Sequence, residues 1–224
     1  MATIKVPKQE NQTLKSTDDI VNAINNADPR TNTYMPLSAG VESTAALIYT
    51  QRDPDMHPFC VYWYDQRYGM FSDAMAFYTQ KQAEFYNLPY GNDKSMLSVL
   101  PHTREIPIIV SGLSSFMTVV LGAPGGIKFK WFMMGANAED DMRMRLQFRE
   151  YRKIKSEMYA LIMREEPKML ELLWTCIYPK GEIRKNGKLV GYEACNVCYK
   201  CQELEQAKKT AADGVFRYQE GIKY

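Results

Sequence analysis

Cys195, Cys198 and Cys201 stand within a seven-residue stretch, CNVCYKC, and that spacing constrains the chain more than any other feature in it. Thiols separated by two residues can turn their sulfurs toward one point on a tight knuckle, the usual way of building a tetrahedral metal site. Cys176, in LLWTCIYP, is available as a fourth sulfur. Between it and Cys195 lie Pro179, Gly181, Asn186, Gly187 and Gly191, a turn-rich excursion that can return the chain to the knuckle. The cysteines number five. An odd, clustered set reads as metal ligation more readily than as a disulfide framework. The first residues, MATIKVPKQENQTLKSTDD, also carry no apolar signal core. The expectation is a cytoplasmic protein whose Cys176, Cys195, Cys198 and Cys201 bind Zn²⁺. The same spacing also admits an iron–sulfur ligand set or reduced bystander thiols. Cys60, inside the apolar run HPFCVYWY, reads as a buried core thiol.

The rest of the composition narrows the function classes. Of 224 residues, 46% are hydrophobic, enough to enclose a core, which excludes disorder and a fibrous repeat. Lys plus Arg exceeds Asp plus Glu by only 28 to 26, so a phosphate-coating nucleic-acid binder is not expected. Residues 106–127 carry no charge and are long enough to cross a bilayer. Ser111, Ser114, Ser115 and Thr118 interrupt them, and Pro107, Pro124 and the Gly125-Gly126 pair break both ends. A buried helix is expected there rather than a membrane span.

Along the chain, apolar β-rich runs alternate with helical patterns. Strands are expected over 33–37, 57–64 and 128–134, and helices over 42–51, 70–87 and from about Glu139 onward, with a capped short helix before Asp28-Pro29. Strands that alternate with helices predict an α/β fold with a doubly wound, mostly parallel sheet covered on both faces. The expected organisation is an N-terminal extension (1–30), a nucleotide-binding α/β domain (31–170) and a C-terminal four-cysteine segment (171–224). Ligands in such folds bind at the carboxyl ends of strands, which directs attention to residues 38–44, 65–68 and 135–141.

The first of these loops reads Ser38-Ala39-Gly40-Val41-Glu42-Ser43-Thr44. Small residues let backbone N–H groups approach an anion, the helix start adds partial positive charge, and three hydroxyls can donate to phosphate oxygens. An anion site is the physical expectation, and a plainly capped helix start is the alternative. No lysine follows the glycine as in GxxxxGK[ST], and the chain contains no GxGxxG.

At these residues the chain resembles the PP-loop ATP pyrophosphatase superfamily, whose fold is adenine nucleotide alpha-hydrolase-like and whose signature is SGGxDS after the first strand. SAGVES keeps both serines and the second glycine, with Ala39 in place of a glycine and Glu42 in place of the aspartate. A positive φ at Ala39 would make its Cβ cost on the order of 1 kcal/mol or more. The later order, one cysteine and then CxxCxxC near the C-terminus, is similar to the 7-cyano-7-deazaguanine synthase branch. There, Tyr64-Asp65-Gln66-Arg67-Tyr68 resembles a shortened DYGQRH segment, Met134 to Asp140 a glycine and acidic loop, and Ser111-Gly112-Leu113-Ser114 stands where the branch has PGRN.

The resemblance implies an ATP-dependent, AMP-forming ligase that adenylates a carboxylate such as 7-carboxy-7-deazaguanine for amide or nitrile formation with ammonia. It implies ATP held with Mg²⁺ by Ser38, Ala39, Gly40, Val41, Glu42, Ser43 and Thr44, with Glu42 and Ser43 as catalytic candidates. Tyr64 and Asp65 would flank the nucleotide, and Gly135, Glu139 and Asp140 would meet the substrate. The partners implied are a deazapurine carboxylate and ammonia, with a homodimer admitted and neither membrane nor nucleic acid expected. Two other readings stand beside it: a PP-loop nucleotide binder altered in catalysis, and another PP-loop reaction such as tRNA thiolation. Glu139 and Asp140 are also explained by a helix dipole, Arg143, Arg145 and Arg149 by a solvated helix face, and His57 and His102 by isolated structural roles.

Overall fold

The computed structural model describes residues 13–14, 26, 29–64, 68–93, 129, 131–133 and 155–214. Five strands form one sheet: β1 (Thr13–Leu14), β2 (Thr33–Pro36), β3 (Pro58–Trp63), β4 (Tyr90–Asp93) and β5 (Trp131–Phe132). Their order is β1-β4-β3-β2-β5 and every pairing is parallel. The order decides the character of β2. With β3 on one side and β5 on the other, all four of its residues are buried, so TYMP needs no polar alternation. Pro58 opens β3, the strand position where a missing N–H does least harm. Successive strands β2, β3 and β4 step outward in one direction, and β5 returns to the opposite side of β2.

The described helices are α1 (Val41–Thr50), α2 (Met70–Phe85), α3 (Lys155–Glu165) and α4 (Tyr199–Asp213), with a 3₁₀ helix at Pro167–Leu172. Strands and helices expected near 33, 42, 57 and 70 appear within two residues of their expected ends. The expected helices before Asp28, within 106–127 and from Glu139 lie outside the described residues. Two elements run against local sequence. Tyr90–Asp93, YGND, is poor strand material, yet β4 forms because its backbone completes the ladder with β3. The excursion between Cys176 and Cys195 is an antiparallel hairpin, β6 (Gly181–Lys185) with β7 (Lys188–Glu193). Its turn is Asn186-Gly187, with φ of 51° and 75°, the two positive values that a tight hairpin turn requires.

Two buried clusters hold these elements. One gathers Met35, Val41, Leu47, Met158, Ile162 and Met169 between the sheet, α1, α3 and the 3₁₀ helix. The other joins Ala39 and Tyr62 to Ala74 and Met75 of α2, Trp174, Tyr192 of β7 and the four clustered cysteines. The architecture is thus mixed α/β with a parallel sheet and a cysteine cluster near its C-terminal end. No described helix is long and apolar enough to cross a membrane.

Candidate functional site

The loop 37–40 leaves β2 at the point where the strand order reverses, the place where open parallel sheets leave a crevice. Ala39 takes φ 53° and is fully buried. An alanine there costs about 1–2 kcal/mol relative to ordinary backbone. Its surroundings offset that cost: the Trp174 backbone N–H donates to the Ala39 carbonyl at 2.9 Å, and the methyl is packed in the second cluster. The turn brings Ser38 and Ser43 together. The Ser43 hydroxyl donates to the Gly40 carbonyl at 3.2 Å and its oxygen accepts from the Ser38 backbone N–H at 3.3 Å. The Ser38 and Ser43 hydroxyl oxygens lie 3.1 Å apart. Gly40 is the N-cap of α1 and offers no side chain to cap the helix. A Cβ on Gly40 would meet Glu42 Oε2 at 3.4 Å and Ser38 Oγ at 3.5 Å, ordinary contact distances, so the two flanking side chains lie beside it without excluding one. The residues predicted from sequence, Ser38 to Thr44, are therefore brought to one strand-to-helix corner with backbone and hydroxyl donors concentrated in it.

Two side chains anchor this corner from a distance. Gln82 of α2 donates its amide to Thr44 Oγ1 at 2.8 Å and to the Leu172 carbonyl at 2.9 Å, joining α1, α2 and the 3₁₀ helix. Lys155 of α3 places Nζ 3.0 Å from Glu42 Oε1 and 2.6 Å from Glu203 Oε2 of α4. Burial disfavours the Lys155 charge, but the Glu42 and Glu203 carboxylates outweigh it and hold its pKa above the ordinary lysine value. Burial likewise opposes ionisation of Glu203, and the hydrogen bonds from Lys155 and Lys200 hold its pKa below the usual carboxylate value. Sequence reasoning missed Lys155, Gln82 and Trp174. No local motif marks them, because each reaches the loop from an element more than thirty residues away in sequence.

Buried polar atoms without a partner also gather near the corner. Among the described residues they include Gln82 Oε1 and Trp174 Nε1, one acceptor and one donor, on two of the residues that hydrogen-bond the 38–44 segment. Tyr64, expected to flank a nucleotide, directly follows β3 and donates its hydroxyl to Asp73 in the first turn of α2. Burial, with the Asp73 carboxylate beside it, pushes the Tyr64 pKa up to about 12, so the phenol stays a neutral donor at neutral pH. Asp65, Gly135, Glu139 and Asp140 lie outside the described residues, as do Ser111 to Ser114, Arg143, Arg145, Arg149 and His102.

The second centre is the cysteine tetrad. The sulfurs of Cys176, Cys195, Cys198 and Cys201 all lie within 4.8 Å of one another, and none is in a disulfide. Cys198 and Cys201 Sγ are 3.4 Å apart and Cys195 and Cys201 Sγ 4.0 Å. Those separations bracket the edge of about 3.8 Å that a tetrahedron with metal–sulfur bonds of about 2.3 Å has. Backbone N–H groups point at the sulfurs: Cys195 donates to Cys176 Sγ at 3.2 Å and Cys198 to Cys195 Sγ at 3.3 Å. Such donors stabilise thiolate, and those of Val197 and Cys198 bring the Cys195 pKa down to about 6, while burial pushes Cys176 and Cys201 up. Asn196, with φ 62°, makes the turn of the knuckle. The four soft donors fit a metal such as zinc. Cys60, the fifth, is fully buried in β3 with its thiol pushed up by burial, as expected of a core residue.

No protein-family model matches this chain, and no curated protein matches it in sequence.

Proposed function

We propose that this protein is an ATP-dependent, AMP-forming ligase of the PP-loop kind, with a doubly wound nucleotide-binding fold and a structural Zn²⁺ on its four cysteines. The observation that carries the reading is the SAGVES corner: a left-handed Ala39 and a paired Ser38 and Ser43 at the carboxyl end of the strand beside which the sheet order reverses. In this reading Ser38, Gly40, Ser43 and Thr44 hold the β and γ phosphates of ATP, with Mg²⁺ neutralising them. A carboxylate oxygen of the substrate attacks the α phosphate, pyrophosphate leaves, and ammonia displaces AMP from the acyl-adenylate. The protein contributes alignment of the reacting oxygens and donors at the places where charge develops. By its resemblance the carboxylate is that of a 7-deazaguanine.

The decisive measurement is pyrophosphate release from ATP with deazaguanine carboxylates and amides in the presence of ammonium. Release that depends on the carboxylate supports the reading; a zinc-loaded, folded protein that releases none with any carboxylate overturns it.

A second reading, nucleotide binding without turnover, has one observation in its favour: the Glu42 carboxylate is already engaged by Lys155 at 3.0 Å. Tight ATP retention in calorimetry with no hydrolysis would select it, as would a large gain in turnover from Glu42→Asp combined with Ala39→Gly. Thiolation of tRNA has less support, because the one thiol outside the tetrad, Cys60, is buried in the sheet.

A further inference from the structure

The four-cysteine centre and the SAGVES loop share a buried cluster, and a hydrogen bond reaches the loop from the segment that leads into Cys176. Trp174 is the link. Its backbone N–H donates to the carbonyl of Ala39 at 2.9 Å, and it stands two residues before Cys176. Its indole is buried, stacked on Tyr78 at 4.9 Å with rings 8° from parallel, and meets Tyr192 of the hairpin edge-on at 6.2 Å. Thr175 donates its hydroxyl to the Lys200 carbonyl at 3.2 Å, inside the CxxC turn between Cys198 and Cys201. The Cys195 N–H donates to Cys176 Sγ. Three consecutive residues are thus fixed to the hairpin or the knuckle, and the first of them fixes the loop.

We infer that Trp174 is a positioning residue that makes the conformation of the anion loop depend on closure of the four-cysteine centre, by holding Ala39 in its left-handed state. The inference rests on the proposed anion-binding role of the loop. Ala39 is what gives the coupling its size. A glycine at this position would take φ near 53° unaided, whereas an alanine has to be held there by contacts from elsewhere. Those contacts come from Trp174 and the cluster around the cysteines. Ligation of a metal by Cys176 would restrain its backbone, and with it the Trp174 N–H two residues earlier.

The test uses the full chain loaded with Zn²⁺ and the same protein after chelation, with two readouts. Amide hydrogen exchange at Trp174 reports the bond to Ala39 directly. Calorimetry with ATP and Mg²⁺, and with inorganic pyrophosphate, reports the loop. Chelation is expected to speed Trp174 exchange at least about tenfold and to weaken ATP binding by about fivefold or more, the equilibrium equivalent of the left-handed penalty. In Ala39→Gly the loss of ATP affinity on chelation is expected to shrink, because glycine needs no external hold. Trp174→Phe, which keeps the metal but loosens the stack on Tyr78, is expected to weaken ATP binding in the wild-type background more than in Ala39→Gly. Unchanged Trp174 exchange after chelation overturns the inference, and so does an Ala39→Gly protein that loses as much affinity as wild type. If the loaded protein binds neither ATP nor pyrophosphate, the ligase reading fails and the exchange measurement alone still decides whether the loop is coupled to the cysteines.

Discussion

Ala39 carries the sharpest residue-level consequence. Replacing it with Val puts a β-branched side chain into a left-handed, fully buried position, adding steric strain to overpacking. A loss of about 2–4 kcal/mol in denaturant unfolding is expected. Ala39→Gly behaves differently. The relief of about 1–2 kcal/mol is offset by greater chain entropy when unfolded and by the lost burial of a methyl, so stability should change by less than about 1 kcal/mol. A Val variant as stable as wild type would show that the backbone there carries no strain. The cysteines divide just as sharply. Cys198→Ser is expected to lose bound metal by elemental analysis, since hydroxyl is a poor substitute for thiolate. Cys60→Ser should keep the metal and lose about 1–3 kcal/mol for burying a hydroxyl among apolar neighbours. Retention of a full complement of metal by Cys198→Ser would remove that cysteine from the ligand set.

At the scale of elements, Lys155 ties α3 to the first turn of α1 through Glu42 and to α4 through Glu203. The two ends of this tie titrate in opposite directions. The folded pKa of Lys155 is raised, so its contribution is complete below the unfolded value of about 10.4 and is lost as pH rises through the folded value. The folded pKa of Glu203 is lowered, so its contribution is complete above the unfolded value of about 4.3 and is lost as pH falls through the folded value. Lys155→Gln should therefore cost about 1 kcal/mol near neutrality, the low figure reflecting a Glu203 side chain that is 40% exposed. The difference in Tm between variant and wild type should narrow at both pH extremes. A difference that is flat from pH 3 to pH 11 would mean the ion pairs add nothing to the packing of these helices.

For the whole molecule, the shared cluster decides how the protein unfolds. Tyr62 of the sheet and Ala74 of α2 are buried against the same side chains as the cysteines, and Tyr192 donates its N–H to the Tyr78 hydroxyl of α2 at 3.3 Å. A metal that binds only the folded state adds its binding free energy to the stability of everything folded with it. Chelation is expected to lower a single calorimetric transition rather than to melt the C-terminal segment alone. Two resolved transitions, with only the smaller shifted by chelator, would show that the knuckle and the sheet are independent.

The sequence by itself determined the features whose causes are local. Three cysteines at two-residue gaps favour a knuckle of sulfurs, hydroxyls and small residues after an apolar run favour a strand-to-helix corner, and β-rich runs alternating with helical ones favour a parallel sheet. The excursion between Cys176 and Cys195 was legible only as turn-rich, through residues such as Asn186-Gly187; the hairpin itself was not, because its flanking residues are too polar to announce strands. Only the tertiary structure decided what depends on partners distant in the chain. Tyr90–Asp93 is a strand because β3 offers it a ladder, Ala39 is held left-handed because the Trp174 N–H donates to its carbonyl, and Glu42 faces Lys155 because α3 packs across α1. None of these has a local signature, since each is set by a contact whose two sides are tens of residues apart and whose geometry exists only once the core has closed.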